Sequence, residues 1–121
     1  MASTNAAADD FIEIVEHKES IIGRDLVVRD MGMSHRGPIS DIRKTTGGKL
    51  IITIEWRAAN HVTGSAEAWY LTDDKPYQYS ADLDKAVLRF TKDGGIDIIV
   101  AHGWVGRIPP ADATPLEKPA S

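Results

Sequence analysis

The sequence predicts a mainly β domain, α+β at the margin: a small curled antiparallel sheet of five to six strands with one N-terminal helix. Three observations carry this. Short β-branched runs are separated by Gly, Asp and Pro clusters from residue 25 onward. The run Lys49–Trp56 alternates apolar and polar side chains, with Leu50, Ile52, Ile54 and Trp56 on one side. The stretch AVLRFTKDGGIDIIV, residues 86–100, places two alternating segments on either side of DGG, whose residues tolerate positive φ, and so reads as a hairpin.

Length and composition agree with one domain. The chain has 121 residues, 42% of them hydrophobic, with three Trp, three Tyr and two Phe, enough to bury roughly 60–70% of the surface its unfolded form exposes. Residues 1–8 and the Pro/Ala-rich stretch 109–121 have little to bury and read as disordered tails around a globular unit at 9–108. The absence of cysteine excludes disulfides, thiolate nucleophiles and Cys-based zinc sites. No apolar run approaches the roughly 20 residues of a membrane span, and MASTNAAADD lacks the basic and apolar regions of an export signal. These features predict a cytoplasmic, bacterial-type protein with no membrane partner.

Each element has its own reason. In residues 10–22, Asp10 and Glu13 form a capping-box pattern, and Phe11, Ile14, Val15 and Ile22 fall near one helical face. FIEIVE is also β-branched enough for an edge strand, and Gly23 ends either element. Leu26–Met31 is the first strand, GMSHRGP a connecting loop that contains Arg36, and Ile39–Lys44 the second strand, with Pro38 at its start. TTGG turns the chain into Lys49–Trp56. AANHVTGS then closes a longer hairpin onto AEAWYLT, where Trp69 and Leu71 share a face.

DDKPYQYSADLD reads as a long acidic loop packed across one end of the sheet. The spacing of Leu83, Ala86, Val87 and Phe90 leaves room for a short helix before the last strand. Gly103 and Gly106 around Trp104 and Val105 suggest a bend followed by a short closing segment. The meander LVVRDMGMSHRGPISDIRKTTGGKLIITIEW resembles the opening of a small SH3-like barrel in its loop spacing, over about a third of the chain. The resemblance is architectural and assigns no site.

The chemistry-bearing residues are sparse. His17, His35, His61 and His102 show no helical metal-ligand spacing, and no metal or cofactor is expected. HVTGSAE brings His61, Thr63 and Ser65 into one segment without a nucleophile elbow, so catalysis is not the favoured reading; His61 and His102 remain the candidate acid or base. Asp73, Asp74, Asp82 and Asp84 lack EF-hand spacing.

The aromatic residues carry more. Trp56 and Trp69 read as core, whereas Trp104, between glycines and near Arg107, joins Tyr77 and Tyr79 as a candidate binding rim for a peptide, a partner protein or a small ligand. Net charge is −4, yet residues 24–57 carry +3 and the remainder −7. This makes Arg29, Arg36, Arg43, Lys44 and Arg57 candidate phosphate contacts for a nucleic-acid-binding alternative, with Trp56 or Tyr70 stacking on bases. The strand register places Arg43 and Arg57 on the solvated face. The reading the sequence favours is a non-enzymatic, self-associating binding domain, a homo-oligomer; a small-molecule pocket with a histidine acid/base is the third reading.

Overall fold

A computed structural model describes residues 14–30, 32–61, 68–83, 86–100 and 105–119. It is mainly β, with antiparallel pairing throughout. A 3-10 turn, Ile14–His17, runs into a single α-helical turn, α1, Lys18–Ile21. Ile14 and Ile21 are buried, whereas Ile22, expected on the apolar face, is exposed. Gly23, at φ 94°, ends the helix by a backbone geometry few other residues accept. The capping pair Asp10 and Glu13, and Phe11, lie outside the described residues.

Among the described residues nine strands follow: β1 (Asp25–Asp30), β2 (Met33–Lys44), β3 (Lys49–Ile54), β4 (Arg57–His61), β5 (Tyr70–Asp73), β6 (Tyr77–Asp82), β7 (Ala86–Phe90), β8 (Ile96–Val100) and β9 (Val105–Ile108). Two of the strands beyond the expected five or six come from breaks in longer ones. β3 and β4 lie end to end along the same edge of β2, separated by Glu55 and Trp56, and β5 and β6 lie end to end against them. Two long strands are thus each broken in the middle. β1 pairs with the first half of β2, and β9, β8 and β7 continue the sheet beyond β1.

Three segments expected to be loops contribute strands, the shortest being AANHVTGS, whose first four residues complete β4. GMSHRGP belongs to β2 from Met33 onward, so Arg36 is a strand residue, paired with Val27 on one side and Ala58 on the other. The Gly and Pro that suggested a loop mark where β2 changes partner from β4 to β3. There an ideal Cβ on Gly37 would lie 1.9 Å from the Trp56 carbonyl oxygen, so only glycine fits. Pro38 accepts the Glu55 N–H at 3.0 Å through its carbonyl. The acidic loop likewise contains β6, whose Tyr79 and Ala81 are buried while Gln78 and Ser80 are exposed.

The turns follow expectation. Gly48 (φ 82°) closes the β2–β3 hairpin, and Gly94 (φ 87°) closes β7–β8. Where a short helix was expected over residues 83–90, the described residues 86–90 are strand, in register with 96–100.

The core is one cluster on the inward side of the strands. Leu26 and Val28 of β1, Ile39 and Ile42 of β2, Leu50, Ile52 and Ile54 of β3, Tyr79 of β6, Ile96 and Ile98 of β8 and Ile108 of β9 bury against the two helical isoleucines. Tyr79 reaches across the interior: an ideal Cβ on Gly106 would meet its hydroxyl oxygen at 3.3 Å. Burial pushes the Tyr79 hydroxyl up to about 12, with the nearby Tyr77 adding to the shift.

Candidate functional site

The outer face of β1 and β2 breaks the pattern of a half-wet sheet. Asp25 alternates with Leu26 and shares the outward side with Val27 and Arg29, yet it is only 3% exposed. A buried carboxylate needs partners. Arg36, diagonally across the β1–β2 ladder, donates from Nε to Asp25 Oδ2 at 2.7 Å. The second donor to the same oxygen is the backbone N–H of Leu116, also at 2.7 Å.

That contact explains the burial. Residues 109–119, read from sequence as a disordered tail, run back from β9 across β1 and β2. Arg24 fixes the start, donating from Nε to the Pro109 carbonyl at 3.1 Å and from Nη2 to Gly94 at 3.1 Å. Desolvation at this site lowers the Arg24 pKa. A turn follows, with Ala113 N–H donating to Pro110. Arg36 Nη2 then donates to the Thr114 carbonyl at 3.0 Å, and Lys118 pairs with Asp74 beyond β5.

The arrangement holds the backbone of the chain's own C-terminal segment. Arg36 and Asp25, themselves locked together, take the carbonyl of residue 114 and the N–H of residue 116. Between them sits Pro115, which has no N–H to satisfy. Trp69 forms the other wall: the Arg36 guanidinium lies 5.8 Å from its ring centroid. An open groove of about 570 Å³ runs between Arg36 and Trp69 on one side and Thr114–Glu117 on the other. A smaller cavity of about 100 Å³ lies below, with Asp25, Arg24 and Arg36 among its walls. Asp25 Oδ1, which has no contact with solvent, has no hydrogen-bond partner among the described residues.

Among the described residues the sequence-derived rim is not assembled. Tyr79 is core, and Tyr77 is half-buried beneath Arg57, whose guanidinium lies 4.3 Å above the ring centroid. Arg107 is engaged by Asp93 at 2.7 Å and Asp97 at 3.1 Å. Hydrogen bonds from Thr91 and Gly95, together with Arg107, hold the Asp93 carboxyl below its ordinary value. Trp104 and His102 lie outside the described residues, as does the side chain of His61, whose backbone pairs with Met33 in β4.

The basic residues do not converge either. Arg29 and Arg36 share the outer face, while Arg57 faces the opposite side, half-buried rather than solvated, 3.9 Å from Asp73. The cavity beside Arg57, walled by Val28, His35, Ile54 and Tyr77, measures about 10 Å³, at most the size of one water. Arg43 and Lys44, both exposed, stand seven or more residues further along β2 than Arg36, roughly 23 Å at strand rise. Among the described residues no group of three His, Asp or Glu is placed to hold a metal, and no helix is long and apolar enough to cross a membrane.

Sequence reasoning missed Asp25, Trp69 and Arg24 as site residues. One signal was available: Asp25 opens a strand whose outward partner across the ladder is Pro38, and an acid there pairs diagonally with Arg36. Comparisons with protein-family models, curated proteins and solved structures return no match. The functional reading therefore rests on geometry.

Proposed function

We propose that this is a non-enzymatic binding domain whose outer β1–β2 face takes an extended, proline-containing peptide segment, and that its own C-terminal segment occupies that face in cis. One observation carries the reading: paired Arg36 and Asp25 engage the carbonyl before Pro115 and the N–H after it. Backbone recognition of this kind supplies affinity with little demand on side chains, while Trp69 and the groove beside it supply the apolar wall. The motif so defined is residue–Pro–apolar, as in Thr114–Pro115–Leu116.

A tethered segment competes at an effective concentration of order millimolar for a short linker. A partner peptide must therefore outcompete the tail or meet a chain whose tail is disengaged. Substituting Leu116→Pro removes the N–H that Asp25 accepts and leaves Arg36, Asp25 and Trp69, the sheet side of the groove, in place.

The test is fluorescence anisotropy with a labelled peptide of the sequence of residues 109–119, titrated onto full-length L116P protein. Saturable binding to L116P, weakened at least tenfold by adding R36A, is the expected result. Absence of saturable binding to L116P, or binding indifferent to Arg36, overturns the reading.

A further inference from the structure

The cis tail leaves the site incompletely satisfied. Asp25 has its side chain 1% exposed, and one carboxylate oxygen carries both of its bonds while Oδ1 has none among the described residues. An unpaired acceptor at such depth is costly. The tail lines the 100 Å³ cavity with prolines, Ala111, half-buried Ala113 and Thr114, whose residue is exposed, so no long side chain of the tail fills it. That volume corresponds to about three water molecules, room for the end of a longer side chain.

The charges of the walls select which side chain. Asp25 brings one negative charge, and Arg24 and Arg36 bring two positive ones. A lysine or arginine would add to the positive excess, and a carboxylate would meet Asp25. A primary carboxamide matches both, because its NH₂ donates and its oxygen accepts. Arg24 has Nε and Nη2 committed to Pro109 and Gly94, which leaves Nη1 to donate to that oxygen.

From this we infer that the cavity under the tail is a specificity pocket for a glutamine or asparagine side chain, so that the preferred partner carries Gln or Asn at the position of Ala113, two residues before proline. The inference rests on the peptide-binding reading and names its ligand class: a segment of the form carboxamide–x–Pro–apolar. It also gives the cis tail its character. With alanine at the pocket position, the tail is a weaker occupant than the partner that displaces it.

The experiment has a cis arm and a trans arm. In full-length protein, the hydrogen-exchange rate of the Leu116 amide is measured by NMR in the wild type, A113Q and A113L. Glutamine is expected to slow exchange about tenfold, the worth of one hydrogen bond to a charged acceptor, and leucine to give no slowing. Equal rates in A113Q and the wild type, or equal slowing by leucine, overturn the pocket.

In the trans arm, labelled 109–119 peptides with Ala or Gln at the position of Ala113 are titrated onto L116P protein. Tighter binding of the Gln peptide, by about tenfold, supports the pocket. Equal binding of the two refutes it while leaving the peptide reading intact. Slower exchange in A113Q with no binding of either peptide supports the pocket chemistry and refutes recognition in trans.

Discussion

Removal of the Arg36 side chain is the perturbation whose cost the structure defines best. The Asp25 side chain is 1% exposed and that of Arg36 18%, with Nε and Oδ2 2.7 Å apart. Truncating one member of a buried pair leaves the other charged and unpaired, at about 3–5 kcal/mol. Arg36 keeps some access to water, so R36A is placed at the lower end, about 3 kcal/mol. With a urea m-value of about 1.5–2 kcal/mol/M for a domain of this size, the denaturation midpoint falls by about 1.5–2 M. The assay is equilibrium urea unfolding followed by tryptophan fluorescence and circular dichroism together.

The same logic fixes the sign of a double variant. D25A/R36A deletes more atoms than R36A but leaves no orphaned carboxylate, so it is expected to be the more stable of the two. A loss under about 1 kcal/mol in R36A refutes the reasoning, as does a double variant less stable than R36A, because either result means that Asp25 does not depend on Arg36.

Two further outcomes follow from the fold. Tyr79 has its hydroxyl pKa raised to about 12 against about 10 in an unfolded chain. Its contribution to stability is therefore complete below pH 10 and is lost as pH rises toward 12, with the unfolded state binding one proton fewer. The slope is about 1.4 kcal/mol per pH unit in that window. Stability measured from pH 9 to 12 in the wild type and Y79F is expected to diverge in slope above pH 10; parallel curves contradict the burial of this hydroxyl. Gly37→Ala drives a methyl group to within 1.9 Å of the Trp56 carbonyl oxygen. The strand break must shift, at about 1–3 kcal/mol, read as a lowered thermal midpoint; an unchanged midpoint refutes the close approach.

What the sequence made legible depended on period and turn chemistry. The β7–β8 hairpin was readable because Leu88, Ile96 and Ile98 alternate around a glycine that takes positive φ. β3 was readable from Leu50, Ile52 and Ile54. β6 was hidden: its buried residues are a tyrosine and an alanine, it ends on Asp82, and Asp73, Asp74, Pro76 and Asp84 flank it, so composition masked the period. The first half of β2 was hidden by Gly37 and Pro38, whose reason for being there is a contact with a strand break some 18 residues later in the chain.

The site was less legible than the fold. Arg36 was singled out, but as a loop cation rather than as the strand partner of a buried acid. A tail of Pro, Ala, Asp, Thr and Lys has no periodicity to announce that it will lie on a sheet. Its anchors are backbone atoms, Thr114 O and Leu116 N, which carry no sequence signature. Tyr77 and Tyr79 illustrate the converse: aromatic residues with a polar tip suggest a rim, yet a strand register that sequence did not reveal turns one into core and caps the other with Arg57.

The central claim is that an extended segment is read at its backbone by Arg36 and Asp25, and the Leu116 amide reports on it most directly. Its hydrogen-exchange rate in the intact wild-type chain is compared with that of the same amide in the free 109–119 peptide. Exchange in the chain is expected to be slowed at least tenfold, with the protection lost in R36A. Exchange at the free-peptide rate would contradict it, since Asp25 would then lack the backbone partner on which the groove is built.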